Sequence, residues 1–299
     1  MRSMKKIKIL TREPAEQADR VPYTVPVEGI HQLLPLSRTF PPVGRTNCFL
    51  LGDREAGTFI IDPSPGEENE YGRLVERLKE FGDMYRYTGI FITHHHIDHH
   101  ERAPALARDF SIPVTMSKNT LERIIKKRGV RYFESIGVNT VKEGDVLTRW
   151  RGRDVRVYEV PGHDEGQLAL APDGMEWFLV GDLVQGNWAG KGGGTVVIGN
   201  EEGNMRDYFQ TLERIIALDP KILLPSHGMA MKSTAAMEKT LNHRRYRERQ
   251  VLRLYEKGHT PEEMVAKIYK NIDPGLWPWG LENINAHMKK LKEDGVIED

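Results

Sequence analysis

From about Ile30 the chain alternates short apolar runs with amphipathic stretches. Asn47–Leu51 and Thr58–Ile61 flank the polar turn 52–57, as the two strands of a hairpin would. Tyr71, Leu74, Val75, Leu78 and Phe81 recur at three- and four-residue spacing, which predicts a helix with one apolar face. Tyr87–Ile92 is β-branched and aromatic and predicts a buried strand. Ala103, Leu106, Ala107 and Phe110 fit another helix, and Ile112–Met116 a short strand. Asn119 is expected to cap a helix through Ile125 that stops at Gly129. Val155–Val160 alternates, and Gln167–Ala171 and Met175–Val180 straddle the turn signal Pro172-Asp173-Gly174. Asn204 begins a helix with Tyr208, Leu212, Ile215 and Ile216 on one face, and Ile222–Leu224 is expected to be the last strand.

The pattern changes near Lys239. Val251, Leu252, Leu254 and Tyr255 predict one helix. Thr260-Pro261-Glu262-Glu263 has the form of a capping box with proline at the first helical position and opens a second. Leu281, Ile284, Met288 and Leu291 predict a third, and Val296-Ile297 a short closing strand. No internal repeat is visible, and residues 1–20 are a charged, aperiodic lead-in.

Composition narrows the class. The 299 residues are 39% hydrophobic and 29% charged, enough for one sizeable core and a small appendage. Lys plus Arg and Asp plus Glu number 43 each, so no global field draws the chain to nucleic acid or membrane. The single cysteine, Cys48, lies in an apolar run and reads as a small buried hydrophobe; a disulfide framework is excluded. Met1–Leu10 is basic without the apolar run of a signal peptide, and no segment is long enough to span a bilayer. A cytoplasmic location is the default expectation.

The chemistry concentrates in Thr93-His94-His95-His96-Ile97-Asp98-His99-His100, directly after the strand Tyr87–Ile92. Side chains alternate along an extended chain, so His94 and His96 face the same way, and His95 the other. Asp98 and His99 follow as the backbone leaves the sheet. Imidazole nitrogen and carboxylate oxygen are ligands for zinc and related divalent metals.

H-x-H-x-D-H after a hydrophobic strand resembles the signature of the metallo-β-lactamase superfamily, with His94, His96, Asp98 and His99 in its positions. Three further segments resemble that family's later motifs, in order and each after an apolar run: Val160-Pro161-Gly162-His163, Phe178-Leu179-Val180-Gly181-Asp182 and Leu224-Pro225-Ser226-His227-Gly228. The resemblance implies an α+β fold, a four-layered α/β/β/α sandwich with the metal site at the edge of its two sheets. It implies a catalytic domain over 1–238 and a small helical, winged-helix-like domain over 239–299. The tail, including His243–Gln250, is similar to that of the hydrolases to which an animal mitochondrial endoribonuclease belongs. Residue by residue, it implies His94, His96 and His163 on one metal, Asp98, His99 and His227 on a second, and Asp182 bridging them. Asp98 and Asp182 would then serve catalysis, with a metal-bridging hydroxide as nucleophile. Asp62 resembles the family's acidic residue near the metal loop, in a structural role rather than a ligand role. His95, His100-Glu101 and Asp164-Glu165 depart from the common pattern.

Two divalent ions follow as cofactors, zinc first, with iron or manganese compatible. The leading expectation is a dinuclear hydrolase of a small thioester or ester, as in the glyoxalase-II-like branch. Weighed against it are a single-stranded RNA endoribonuclease and a non-catalytic, metal-stabilised binding scaffold. Residues 239–257 carry seven Lys or Arg against two acids, which keeps nucleic acid open as a partner. Otherwise the tail is expected to pack against the core and shape the cleft, with Tyr246–Arg253, Trp277 and Trp279 as candidate walls, or to form a homodimer. Trp188 and Lys191, in a glycine-rich loop after Asp182, are candidate substrate contacts.

Overall fold

A computed structural model describes residues 20–39, 44–186, 196–199 and 201–298. Two sheets carry the fold. In the first, seven strands lie side by side in chain order: β1 (Tyr23–Val27), β2 (Ile30–Leu33), β3 (Cys48–Asp53), β4 (Gly57–Ile61), β5 (Tyr87–Phe91), β6 (Val114–Met116) and β7 (Val138–Thr140). The second runs β13-β12-β11-β10-β9-β8, from β8 (Val146–Trp150), β9 (Arg153–Glu159), β10 (Leu168–Pro172), β11 (Phe178–Gly181), β12 (Ile222–Pro225) and β13 (Met231–Lys232). Strands β3 and β4 form the hairpin expected from their alternation, and β4, β5 and β6 run parallel. The parallel pairs need crossovers, supplied by α1 (Glu68–Glu80) and by α2 (Ile97–His100) with α3 (Ala103–Phe110).

Three stacked cores make four layers. Leu50, Ile60, Ile90 and Val114 face α1 and α3 through Leu74, Leu78 and Leu106. Phe49, Leu51, Ile61 and Phe91 face the other way and meet Val157, Leu170 and Trp177 between the sheets. The far face of the second sheet packs Phe178, Val180 and Leu223 on Tyr208, Leu212 and Ile215 of α5 (Met205–Leu218) and on Met237 of α6 (Ala235–Tyr255). A fourth cluster joins Val251 of α6, Met264 and Val265 of α7 (Pro261–Ile268), and Ile284 and Leu291 of α8 (Trp277–Glu293). This is the expected α/β/β/α sandwich with a helical C-terminal unit. The capping box at Thr260 is formed reciprocally with Glu263.

Three local expectations are corrected. Ser117, not Asn119, caps α4 (Lys118–Arg128), its Oγ accepting the Thr120 N–H at 3.0 Å. Strand β12 is not the last, because β13 folds back and pairs with it antiparallel. Val296-Ile297 forms no strand; the chain turns at Gly295 (φ +69°) and both N–H groups return to the Leu291 carbonyl, which tucks Ile297 onto the helical core. No helix of the described residues is long and apolar enough to cross a membrane.

The ends of the two sheets are tied together where the histidines emerge. Leu168 N–H donates to the Thr93 carbonyl (2.9 Å) across the sheets, while Ser226 N–H donates to the Gly181 carbonyl (3.0 Å) within the second. Asn47 Nδ2 donates to the carbonyls of Pro225 and Gly228, each at 2.7 Å. Gly186 N–H donates to the His227 carbonyl (2.8 Å), and a Cβ on Gly186 would lie 2.1 Å from the Met229 carbonyl oxygen. Gly186→Ala is therefore expected to destabilise the protein by at least about 2 kcal/mol through backbone displacement. The denaturant midpoint measures it, and an unchanged midpoint would refute the tight approach.

Candidate metal centre

Every candidate ligand leaves the end of a strand or begins the segment after one. Thr93 to His96 continue β5, and Asp98 and His99 lie in the single turn of α2. His163 follows β9, Asp182 immediately follows β11 and His227 follows β12. Gly162 (φ +137°) makes the turn into His163 while α5 presses against it, since a Cβ there would lie 2.4 Å from Tyr208 Cα.

The structure brings all seven residues together. Donor atoms of His94, His96 and His163 lie within 4.8 Å of one another, and so do those of Asp98, His99 and His227. Asp182 Oδ2 sits between the groups, 3.7 Å from His163 Nε2, 3.8 Å from His99 Nε2 and 3.3 Å from His227 Nε2. His95, His96 and Asp164 form a further close set. There, however, His95 Nδ1 is directly hydrogen-bonded to the Asp164 carboxylate, and Lys127 Nζ lies 2.9 Å from His95 Nε2.

Hydrogen bonds from outside assign the tautomers. His163 Nδ1–H donates to the Val197 carbonyl (2.8 Å), and His227 Nδ1–H to the Arg45 carbonyl (2.8 Å). His99 Nδ1–H donates to Asp62 Oδ2 (2.9 Å). The Thr93 hydroxyl donates to Asp62 (2.7 Å) and so accepts from His94 Nδ1–H (3.0 Å). His96 Nε2–H donates to Glu202 (3.0 Å). Each ring, in its neutral form, therefore turns its unprotonated nitrogen inward. His96 Nδ1 then lies 3.0 Å from both His94 Nε2 and His163 Nε2, so three lone pairs face one another without a donor between them.

Buried polar atoms complete the picture. His99 Nε2 and Asp182 Oδ1 are buried with no hydrogen-bond partner. Burial, then the neighbouring His99, His96 and His163, drives the His94 imidazole well below its ordinary range. Burial and His96 bring His163 down to about 4. Burial opposes a charge on His99, but Asp98, Asp62 and Asp182 outweigh it and raise the ring to about 10. The same contest, won by Asp182 and Asp98, raises His227. Asp182 is held well below the usual carboxylate range by His227, His99 and His163 against its burial. Converging lone pairs on one side and carboxylates needing positive charge on the other fit divalent cations.

Asp62 is the hub behind the ligands. It accepts the Thr93 N–H (2.8 Å) as well as Thr93 Oγ1 and His99, from a left-handed backbone (φ +49°). Its sequence position at a strand end suggested a structural role, and the contacts show the form that role takes. Glu202 and Lys127 were not singled out by sequence reasoning: they are distant in the chain, and nothing local announces that Glu202 reaches His96. Trp188 and Lys191 lie outside the described residues.

The donors open onto a cavity of about 1440 Å³. Its lining includes His96, Asp98, His163, Asp182 and His227, together with residues of α4, α6 and α8.

A cation entering this site at pH 7 displaces the proton that His99, raised to about 10, keeps bound in the metal-free fold. Zinc binding is thus expected to release protons. Calorimetry in two buffers of different ionisation enthalpy reads this, and identical heats would contradict it.

Residues 41–227 match the metallo-β-lactamase superfamily, and residues 260–299 match the β-lactamase-associated winged helix domain. A β-lactamase-like protein 2 homolog of Drosophila melanogaster is 30% identical over 151 residues, covering 49% of this chain and 48% of that protein. An atrochrysone carboxyl ACP thioesterase of Aspergillus fumigatus is 26% identical over 208 residues, 69% of this chain and 58% of the fungal one. The chain thus spans about half the length of these relatives. A β-lactamase domain protein from Burkholderia ambifaria shares the fold with a TM-score of 0.76 at 18% identity, over 96% of this chain and 91% of the other. The strand-end motifs, the two-sheet sandwich and the match over most of the chain establish that this protein belongs to the metallo-β-lactamase superfamily and carries a winged-helix domain at its C-terminal end.

Proposed function

We propose that the protein is a dinuclear metal-dependent hydrolase of small thioesters or esters. The observation that carries this reading is the pair of three-residue donor groups with Asp182 Oδ2 between them, at the edge of a large cavity. His94, His96 and His163 would hold one ion, Asp98, His99 and His227 the other, and Asp182 would contribute to both. Bound there, two cations would supply a water of lowered pKa and stabilise negative charge developing on the substrate oxygen. Zinc suits so many imidazoles; iron and manganese accept the same donors.

The chain's own contribution is rigidity. Asp62, the Val197 and Arg45 carbonyls and Glu202 fix the rings from behind, so donor directions are set before any ion binds. Asp98 is steadied by Thr46, whose hydroxyl donates to Oδ2 at 3.3 Å. Thioesters are favoured because a thiolate, conjugate base of a thiol of pKa about 8.5, leaves without a strong general acid, whereas the alkoxide of an RNA phosphodiester demands one. The fungal thioesterase relative points the same way.

Asp182→Asn, which keeps the shape and removes the charge, is expected to lower kcat on an acyl thioester by about 10²- to 10³-fold in zinc-loaded protein. A variant as active as wild type would sink the reading. Labelled single-stranded RNA in the same assay tests the nuclease alternative, which gains if RNA is cut and no thioester or ester is.

A further inference from the structure

One wall of the cavity is α6. Lys239, His243 and Arg247 recur every four residues, so they stand above one another on a single helix face, and all three line the cavity together with Arg244. Arg244 is only 1% exposed. Its guanidinium donates to Asn283 Oδ1 (2.8 Å) and the Val196 carbonyl and lies over the Tyr208 ring, while its buried Nε has no partner. Arg247 donates to Gln250 Oε1 (2.8 Å) and rests 5.1 Å from the Tyr269 ring centre, and its Nε is likewise buried and unpartnered.

None of these partners carries a negative charge. Among the described residues no carboxylate pairs with Lys239, Arg244 or Arg247, and the internal stretches outside them (40–43, 187–195 and 200) contain no Asp or Glu. Nearby cations differ: Arg245 on the same helix pairs with Glu213, Lys290 with Glu248, and Arg206 with Asp294. Burial, with Arg247 and Arg244 next, pulls the His243 imidazole down to about 4, as an electropositive pocket does. It then remains neutral near pH 7 with one N–H to offer. A buried guanidinium without a counter-ion is costly, and an anionic ligand removes that cost. Large apolar side chains share the cavity: Ile272, Leu276 and Trp279 are each 40–44% exposed.

We propose that this face is a phosphate-binding subsite, in which Lys239, His243, Arg244 and Arg247 hold a phosphate ester or diphosphate of the substrate while an apolar portion lies on Ile272, Leu276 and Trp279. Three permanent positive charges, two of them guanidinium forks, match a multiply charged phosphate better than a single carboxylate. The charges converge on a cavity and one guanidinium is fully buried, which suits a small ligand over an RNA strand tracked by exposed cations. The inference rests on the hydrolase reading, whose substrate it narrows to phosphorylated thioesters or esters.

The test titrates inorganic pyrophosphate into metal-loaded, full-length protein and into its Lys239→Ala, Arg247→Gln and Asp182→Asn variants. Alongside, KM is compared for matched thioesters with and without a terminal phosphate. Lys239→Ala and Arg247→Gln are each expected to weaken pyrophosphate about tenfold and to raise the KM ratio of phosphorylated to phosphate-free thioester by a similar factor. Asp182→Asn is expected to retain pyrophosphate binding. Lys239 is exposed, so its variant reports even if Arg247→Gln fails to fold. No pyrophosphate binding, or binding untouched in both α6 variants, overturns the subsite; if thioesters are nonetheless hydrolysed, the hydrolase reading stands without it. Pyrophosphate binding lost only in Asp182→Asn also overturns it, by placing the anion at the metal centre. If both α6 variants weaken an RNA oligonucleotide but not pyrophosphate, the small-ligand assignment falls to RNA. Binding lost in the α6 variants while no thioester or ester is hydrolysed upholds the anion subsite and rejects the hydrolase reading.

Discussion

The structure depends on a buried electrostatic conflict held in place from outside. Five imidazoles and two carboxylates converge at one sheet edge, and the outward nitrogen of each ring is committed to a fixed acceptor. The inward nitrogens are lone pairs 3.0 Å apart in one group, and face the carboxylates of Asp98 and Asp182 in the other. Without cations the fold compensates by protonating His99, by raising the pKa of His227 and by keeping His94 and His163 neutral. Such an arrangement raises the free energy of the metal-free state and thereby increases affinity for ions that relieve it.

The sandwich makes the conflict sustainable. Each donor sits where a strand stops, so its backbone is anchored on one side by a ladder and on the other by a short loop. Links between the sheets, through Leu168 to Thr93 and Asn47 to the Pro225–Gly228 turn, prevent the two groups from drifting apart. Asp62 concentrates this support, because the strand carrying His94 and the helix carrying His99 both hang from its carboxylate.

Much of this was legible in the sequence, for identifiable reasons. Alternation and three-to-four-residue spacing are local signals, so β3, β4, β5, α1 and α5 were readable. The four ligand motifs were readable because each is short and follows an apolar run. The layered architecture came only through family resemblance, since periodicity does not say which strands pair. Glu202 and Lys127 were hidden because their roles arise from tertiary proximity: Glu202 reaches His96 across 106 positions of sequence. The basic tail was visible as composition, but not that one stripe of it turns inward while Arg245 turns toward Glu213. Val296-Ile297 misled because two β-branched residues after a glycine look alike in a strand and in a helix-terminating turn.

The C-terminal helices connect the two halves of the account. By walling the cavity, α6 and α8 set a basic and an apolar surface beside the donor groups. The central claim remains that the seven residues hold two ions. Anomalous diffraction at the zinc absorption edge from crystals of zinc-loaded protein tests it most directly. Two peaks are predicted, one among His94, His96 and His163 and one among Asp98, His99 and His227, with Asp182 between them. A lone peak beside His95 and Asp164, or none at the sheet edge, would contradict it.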